Sequence, residues 1–108
     1  MKNINKYITE KLKISKTQKV EYTLFPKDID ELNEMIADEI EKNGWNCSLN
    51  HIDTSKITSM RKLFYNSRFN GDISNWDVSN VTNMKLMFFD CDFNGDLSDW
   101  EVSNVENM

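Results

Sequence analysis

Phe69-Asn70-Gly71-Asp72-Ile73-Ser74-Asn75-Trp76-Asp77-Val78-Ser79-Asn80-Val81-Thr82-Asn83-Met84 returns as Phe93-Asn94-Gly95-Asp96-Leu97-Ser98-Asp99-Trp100-Glu101-Val102-Ser103-Asn104-Val105-Glu106-Asn107-Met108, with every position identical or chemically close. A worn copy lies one period upstream. Leu49 stands where Ile73 does, Ile52 where Trp76 does, and Asp53, Ser55, Ile57, Thr58 and Met60 answer to Asp77, Ser79, Val81, Thr82 and Met84. A fixed period of 24 residues, the separation of Phe69 from Phe93, marks units that cannot bury their apolar faces alone and must stack on one another. The expected fold class is therefore α/β: a short leucine-rich-repeat-like solenoid, with a parallel strand ladder and short helices, behind an α+β N-terminal cap.

Within each unit, Ile73–Trp76 and Leu97–Trp100 read as short strands. Asn70-Gly71 and Asn94-Gly95 would supply positive-φ turn residues before them. Ser79 or Thr82 would cap a short helix with Val81, Met84, Met87 and Phe88 pointing inward. Stacked strands would align Ile52, Trp76 and Trp100 in one inward row and Leu49, Ile73 and Leu97 in another. The aromatics at repeating positions, Trp45 among them, read as core.

Upstream, the pattern changes. Ile4, Tyr7, Ile8, Lys11 and Leu12 fall on one face of a helix over about 3–13, and residues 18–25 alternate apolar with polar as a strand until Pro26 stops them. Asp28 can cap a helix over about 29–42, with Glu31 returning the bond, Ile29, Leu32, Ile36 and Ile40 on one face, and Gly44 ending it. The expected organisation is a helix-strand-helix cap at 1–44 followed by repeat units at 45–68, 69–92 and, in part, 93–108.

The chain of 108 residues has a formal net charge of −5, but residues 1–20 carry six Lys against the single acid Glu10, so a basic segment joins an acidic body. No apolar run at the N-terminus resembles a secretory signal, and nothing approaches the ~20 apolar residues of a membrane span; the expected location is cytoplasmic, with no membrane partner. Cys47 and Cys91 sit at non-equivalent repeat positions and read as reduced.

The run Trp76-Asp77-Val78-Ser79-Asn80-Val81-Thr82-Asn83-Met84, followed by Met87-Phe88 and Phe93-Asn94-Gly95-Asp96-Leu97-Ser98-Asp99-Trp100, resembles the repeat of BspA-type leucine-rich-like proteins of bacterial surfaces. The likeness covers residues 45–108. It implies a right-handed leucine-rich-type solenoid with adhesive, protein-binding roles and no catalysis.

The chemistry points the same way. His51 is the single histidine and reads as an exposed strand position equivalent to Asn75 and Asp99. No Ser/His/Asp or Cys/His context, zinc set or phosphate loop is legible, so no catalytic residue, cofactor or metal is expected. Asp72, Asp96, Asp77 and Glu101 recur with the period, but without the dense Gly-Asp pattern of calcium-binding repeats they read as turn caps.

The expected function is a non-enzymatic module that modulates or blocks a protein or nucleoprotein partner. Its contacts would be Arg61, Lys62, Tyr65, Arg68, Lys85 and Phe89 on the repeat face, and Lys2, Lys6, Lys13 and Lys16 of the basic first helix, which could touch RNA. The opposite face, with His51, Asn75 and Asp99 beside Asp53, Asp77 and Glu101, would suit a basic partner. Two alternatives stand beside this reading: a phage-encoded inhibitor of a bacterial defence complex such as a CRISPR effector, and a fragment of a surface adhesion repeat protein. Because Met108 corresponds to Met84, the third unit stops before counterparts of Met87 and Phe88. An open, apolar C-terminal end is expected there, either covered by a partner or by a second copy in a homo-oligomer, the favoured reading, or left by truncation of a longer array.

Overall fold

The computed structural model describes residues 21–108. The helix expected over 3–13, the start of the strand expected over 18–25, and Lys2, Lys6, Lys13 and Lys16 lie outside the described residues. Among the described residues one helix forms, α1 at Ile29–Asn43. Its N-terminus is closed by Asp28, whose carboxylate accepts from the Glu31 N–H at 3.0 Å. Glu31 reaches back to the N–H of Lys27, one residue before the cap, at 3.0 Å. At the other end Gly44 takes φ 92°, open to a residue without Cβ, and donates to the Ile40 carbonyl at 2.7 Å. Leu32 and Ile36 are buried on the repeat units, with Ile29, Met35 and Ile40 partly buried beside them.

The α/β solenoid does not form. In place of a parallel strand ladder the described residues hold four isolated parallel bridges, Leu24 with Ile52, Ser48 with Asp72, Ser59 with Asn83, and Asn83 with Asn107. No sheet and no helix occurs within the repeat units, and the described part of the strand expected up to residue 25 holds a single bridge, at Leu24. The reason lies in the side chains flanking each expected strand. Asp72 and Asp77 capture the N–H groups of Ser74 and Ser79 at 3.0 Å each, and the N–H groups of Trp76 and Val81 turn back to the Ile73 and Val78 carbonyls at 3.2 and 3.0 Å. Donors spent locally cannot serve a ladder, and Asp and Ser are the residues that offer this alternative.

The expected short helices are replaced by successive tight turns over 61–66 and 85–90. Lys62, Asn66, Leu86 and Asp90 adopt φ between 54° and 60°, which interrupts any right-handed helical run. The donors of the first turn segment alternate in destination. The N–H groups of Leu63, Tyr65 and Ser67 bond three residues back to Met60, Lys62 and Phe64, whereas those of Met60, Lys62, Phe64 and Asn66 cross to the Asn83, Lys85, Met87 and Phe89 carbonyls of the next unit at 2.8–3.0 Å. Every donor is used, so turns satisfy the backbone as completely as a helix would.

Units are tied further by asparagines one period apart. The Asn80 and Asn104 amides donate to the Ser55 and Ser79 carbonyls, both at 2.7 Å. The inward rows do align: Leu49, Ile52, Ile73 and Trp76 are buried, with Leu97 and Trp100 half-buried in the last unit. Aromatic columns run through them, Phe69 over Phe93 at 6.1 Å and Trp76 over Trp100 at 6.5 Å. Trp45, expected in the core, is instead 45% exposed where the chain leaves α1. Gly71 and Gly95 do not take positive φ; that role falls on the four residues named above.

Candidate functional site

The turns over 61–66 and 85–90 present one side chain of each to solvent at equivalent positions. Tyr65 and Phe89, each followed by a positive-φ residue, are 43% and 56% exposed. Their rings stack at 5.6 Å with 16° between planes, and the Lys62 ammonium lies 5.2 Å from the Tyr65 ring centre. One face of Tyr65 thus meets Phe89 while Lys62 sits against the ring, a cation–π contact of about 0.5–1 kcal/mol at an exposed site. Of the other expected contact residues, Arg61 and Lys85 are exposed on the same turn segments, and Arg68 is exposed at the close of the first unit.

The pair continues into an apolar groove of about 490 Å³ whose lining includes Leu86, Phe88, Phe89, Leu97, Trp100 and Met108. Sequence reasoning anticipated apolar surface at this end. It missed that the groove runs on from the aromatic pair, because the path of the turns depends on backbone angles that no residue type announces.

The acidic positions are occupied by structural work. Asp53, Asp72, Asp77 and Asp96 each accept from the backbone N–H two residues on, at 2.9–3.0 Å. The Ser74 N–H, then its hydroxyl, hold the Asp72 carboxyl below its ordinary range, and Ser98 does the same for Asp96. A carboxyl lowered in the folded state stabilises the fold above its unfolded value and loses that contribution as pH falls through the folded value. The melting temperature should accordingly decline below about pH 4, the unperturbed carboxyl range, and Asp72→Asn should blunt that decline. An identical acid profile for the variant would show that these turns do not depend on charge.

His51 is not the exposed strand position its repeat equivalents suggested. Its Nε2 lies 2.9 Å from Glu39 Oε1, with both side chains largely covered, so it links α1 to the first unit. Cys47 belongs to the first unit. Burial first, then Glu39, raise its thiol pKa, which keeps it protonated and a poor nucleophile at neutral pH. Cys47 and Cys91 are both free thiols. Burial, followed by the charges of Asp53 and Asp77, likewise raises the Tyr22 phenol. No helix among the described residues is long and apolar enough to cross a membrane.

A family model described as Mycoplasma protein of unknown function, DUF285, matches residues 30–108. The chain belongs to the DUF285 family. No curated protein and no solved structure matches it. The DUF285 span begins at Asp30, inside α1, and not at the first repeat residue, Trp45. The pattern of the family therefore takes in the helix together with the repeat units, in keeping with the burial of Leu32 and Ile36 in the same core as Leu49 and Ile52.

Proposed function

We propose that this DUF285 chain is a non-enzymatic binding module that docks a protein on the face carrying Tyr65 and Phe89. The observation that supports this reading is the exposure of two large aromatics, stacked on each other and bordered by Arg61, Lys62 and Lys85. Aromatic and Arg side chains dominate binding energy at interfaces. Because Phe89 and Lys62 crowd the Tyr65 ring, stacking of nucleobases is disfavoured relative to contact with protein side chains. The neighbouring cations suit a partner that is acidic around an apolar centre.

The likeness of Trp76–Met84 to the BspA-type repeat adds support, since those repeats serve protein binding. It also favours a second reading, a segment of a surface adhesion protein, in which the same face would hold an extracellular protein. The inhibitor reading draws on the Lys-rich segment outside the described residues and gains nothing from this face.

Immobilised full-length chain and its Tyr65→Ser/Phe89→Ser variant should be compared for proteins captured from the producing cell and from host-cell surface extracts. Both substitutions are at exposed positions, so melting should change by less than about 1 kcal/mol. Loss of an anchor costs upwards of ~2 kcal/mol of binding, more than tenfold in affinity. The same proteins retained equally by both forms would end the proposal.

A further inference from the structure

A second groove, of about 420 Å³, lies along α1, and its lining includes Ile36, Ala37, Ile40, Glu41, Trp45 and Leu63. The α1 positions among them recur at helical spacing, so the floor is one stripe of the helix, bordered by an indole that is 45% exposed. Asp30, Glu34, Asp38 and Glu41 succeed one another at intervals of three or four residues and are all exposed, which makes an acidic strip beside that stripe. An apolar floor with an acidic edge fits a helix that is apolar on one face and basic around it. Residues 2–16 carry that pattern. Ile4, Tyr7, Ile8 and Leu12 share one face of the helix expected over 3–13, with Lys2, Lys6, Lys11, Lys13 and Lys16 against the single acid Glu10.

We propose that the groove along α1 is the docking site of the chain's own basic segment, residues 3–13, which lays Ile4, Tyr7, Ile8 and Leu12 on Ile36, Ala37, Ile40 and Trp45 and sets its lysines against the acidic strip. An amphipathic helix in an apolar groove is a recurrent mode of recognition, read through anchors at this spacing. The connection reaches. Thr23 donates to the His51 carbonyl at 2.9 Å, and His51 Nε2 lies 2.9 Å from Glu39 of α1, so the chain enters the described structure beside this helix. Residues 13–21 can span up to about 30 Å, whereas the 15 residues of α1 extend about 22 Å. Tethering also decides between donors, because a segment on so short a connection meets the groove at an effective concentration on the order of millimolar, above that of the same segment on a second copy in dilute solution. Nucleic acid is a poor occupant of this face, since the acidic strip repels phosphate. Docked in this way, the lysines are spent on α1 and are not offered to RNA.

The test is amide hydrogen exchange across residues 4–12 of the full-length chain, in the native form and in two variants. Ala37→Arg places a bulky cation on the floor of the groove at an exposed position, and Arg is nearly as good a helix former as Ala, so α1 is retained. Ile8→Asp removes an anchor from the segment and leaves every described residue unchanged. Exchange over residues 4–12 should be slower in the native chain than in either variant by about tenfold or more, and the Ile8 methyls should show nuclear Overhauser contacts to the Ala37 methyl or the Trp45 indole. Raising the salt concentration should speed exchange in the native chain, because the pairing with the acidic strip is screened. Equal exchange in the native chain and in Ala37→Arg would overturn the proposal. So would protection that disappears on dilution, which would assign the groove to the segment of a second copy. Tyr65→Ser/Phe89→Ser should keep full protection, so the outcome is independent of the capture experiment on the aromatic face.

Discussion

Trp76→Ala should lower the stability of the fold by about 3–5 kcal/mol, the cost of emptying a large buried aromatic site. Trp76 is 4% exposed, stacks on Trp100 at 6.5 Å and Phe64 at 6.0 Å, and donates its indole N–H to the Leu49 carbonyl at 2.8 Å. Against a total of roughly 5–15 kcal/mol for a typical domain, that loss removes a large share. Trp76→Phe keeps a ring but drops the indole bond, and should cost less. Because Leu49 O also accepts from Ile52 at 3.1 Å, the carbonyl is not left alone. Trp100→Ala should also cost less, since Trp100 is half-buried although its indole makes the equivalent bond to Ile73 at 3.0 Å. Urea unfolding reads all three. An unchanged midpoint for Trp76→Ala would mean that the ring is not part of the core.

Gly71→Ala should be still more damaging, beyond the roughly 1–3 kcal/mol of ordinary overpacking. A Cβ at Gly71 would stand 1.7 Å from the Cys47 carbonyl oxygen, a backbone atom, and 2.7 Å from the Phe69 ring. That carbonyl accepts from the Asp72 N–H at 3.2 Å, so the first and second units must separate before a methyl group fits. Gly95 provides the internal control. A Cβ there meets only the Phe93 ring at 2.6 and 2.8 Å, with the nearest backbone atom, Gly71 O, at 3.5 Å. A side chain can rotate away and a paired backbone cannot. Gly71→Ala is therefore expected to express poorly or melt far below Gly95→Ala, and equal melting of the two would refute the close approach of the units.

The contrast between these glycines shows how much of the molecule was legible beforehand. Both occupy the same repeat position, and turn chemistry suggested positive φ for both. Neither adopts it. What makes Gly71 indispensable is a carbonyl supplied by a residue 24 positions earlier, Cys47, which local sequence does not reveal. The same limit applied to His51, whose partner Glu39 arrives only when α1 packs on the first unit. It applied also to Trp45, which the packing leaves at the surface.

Periodicity alone determined the 24-residue register, the inward rows of Leu49, Ile73 and Leu97 and of Ile52, Trp76 and Trp100, the helix between Asp28 and Gly44, and the outward direction of Tyr65 and Phe89. These follow from side-chain spacing and capping residues, whose effects act over a few positions. Only the tertiary structure decided that the units are built from turns and not from strands and helices. That choice turns on where each backbone donor finds its acceptor. Asp72 and Asp77 offer one within two residues, while the carbonyls of Lys85, Met87 and Phe89 offer others from the next unit, and the energies of such alternatives differ by amounts too small for composition to rank.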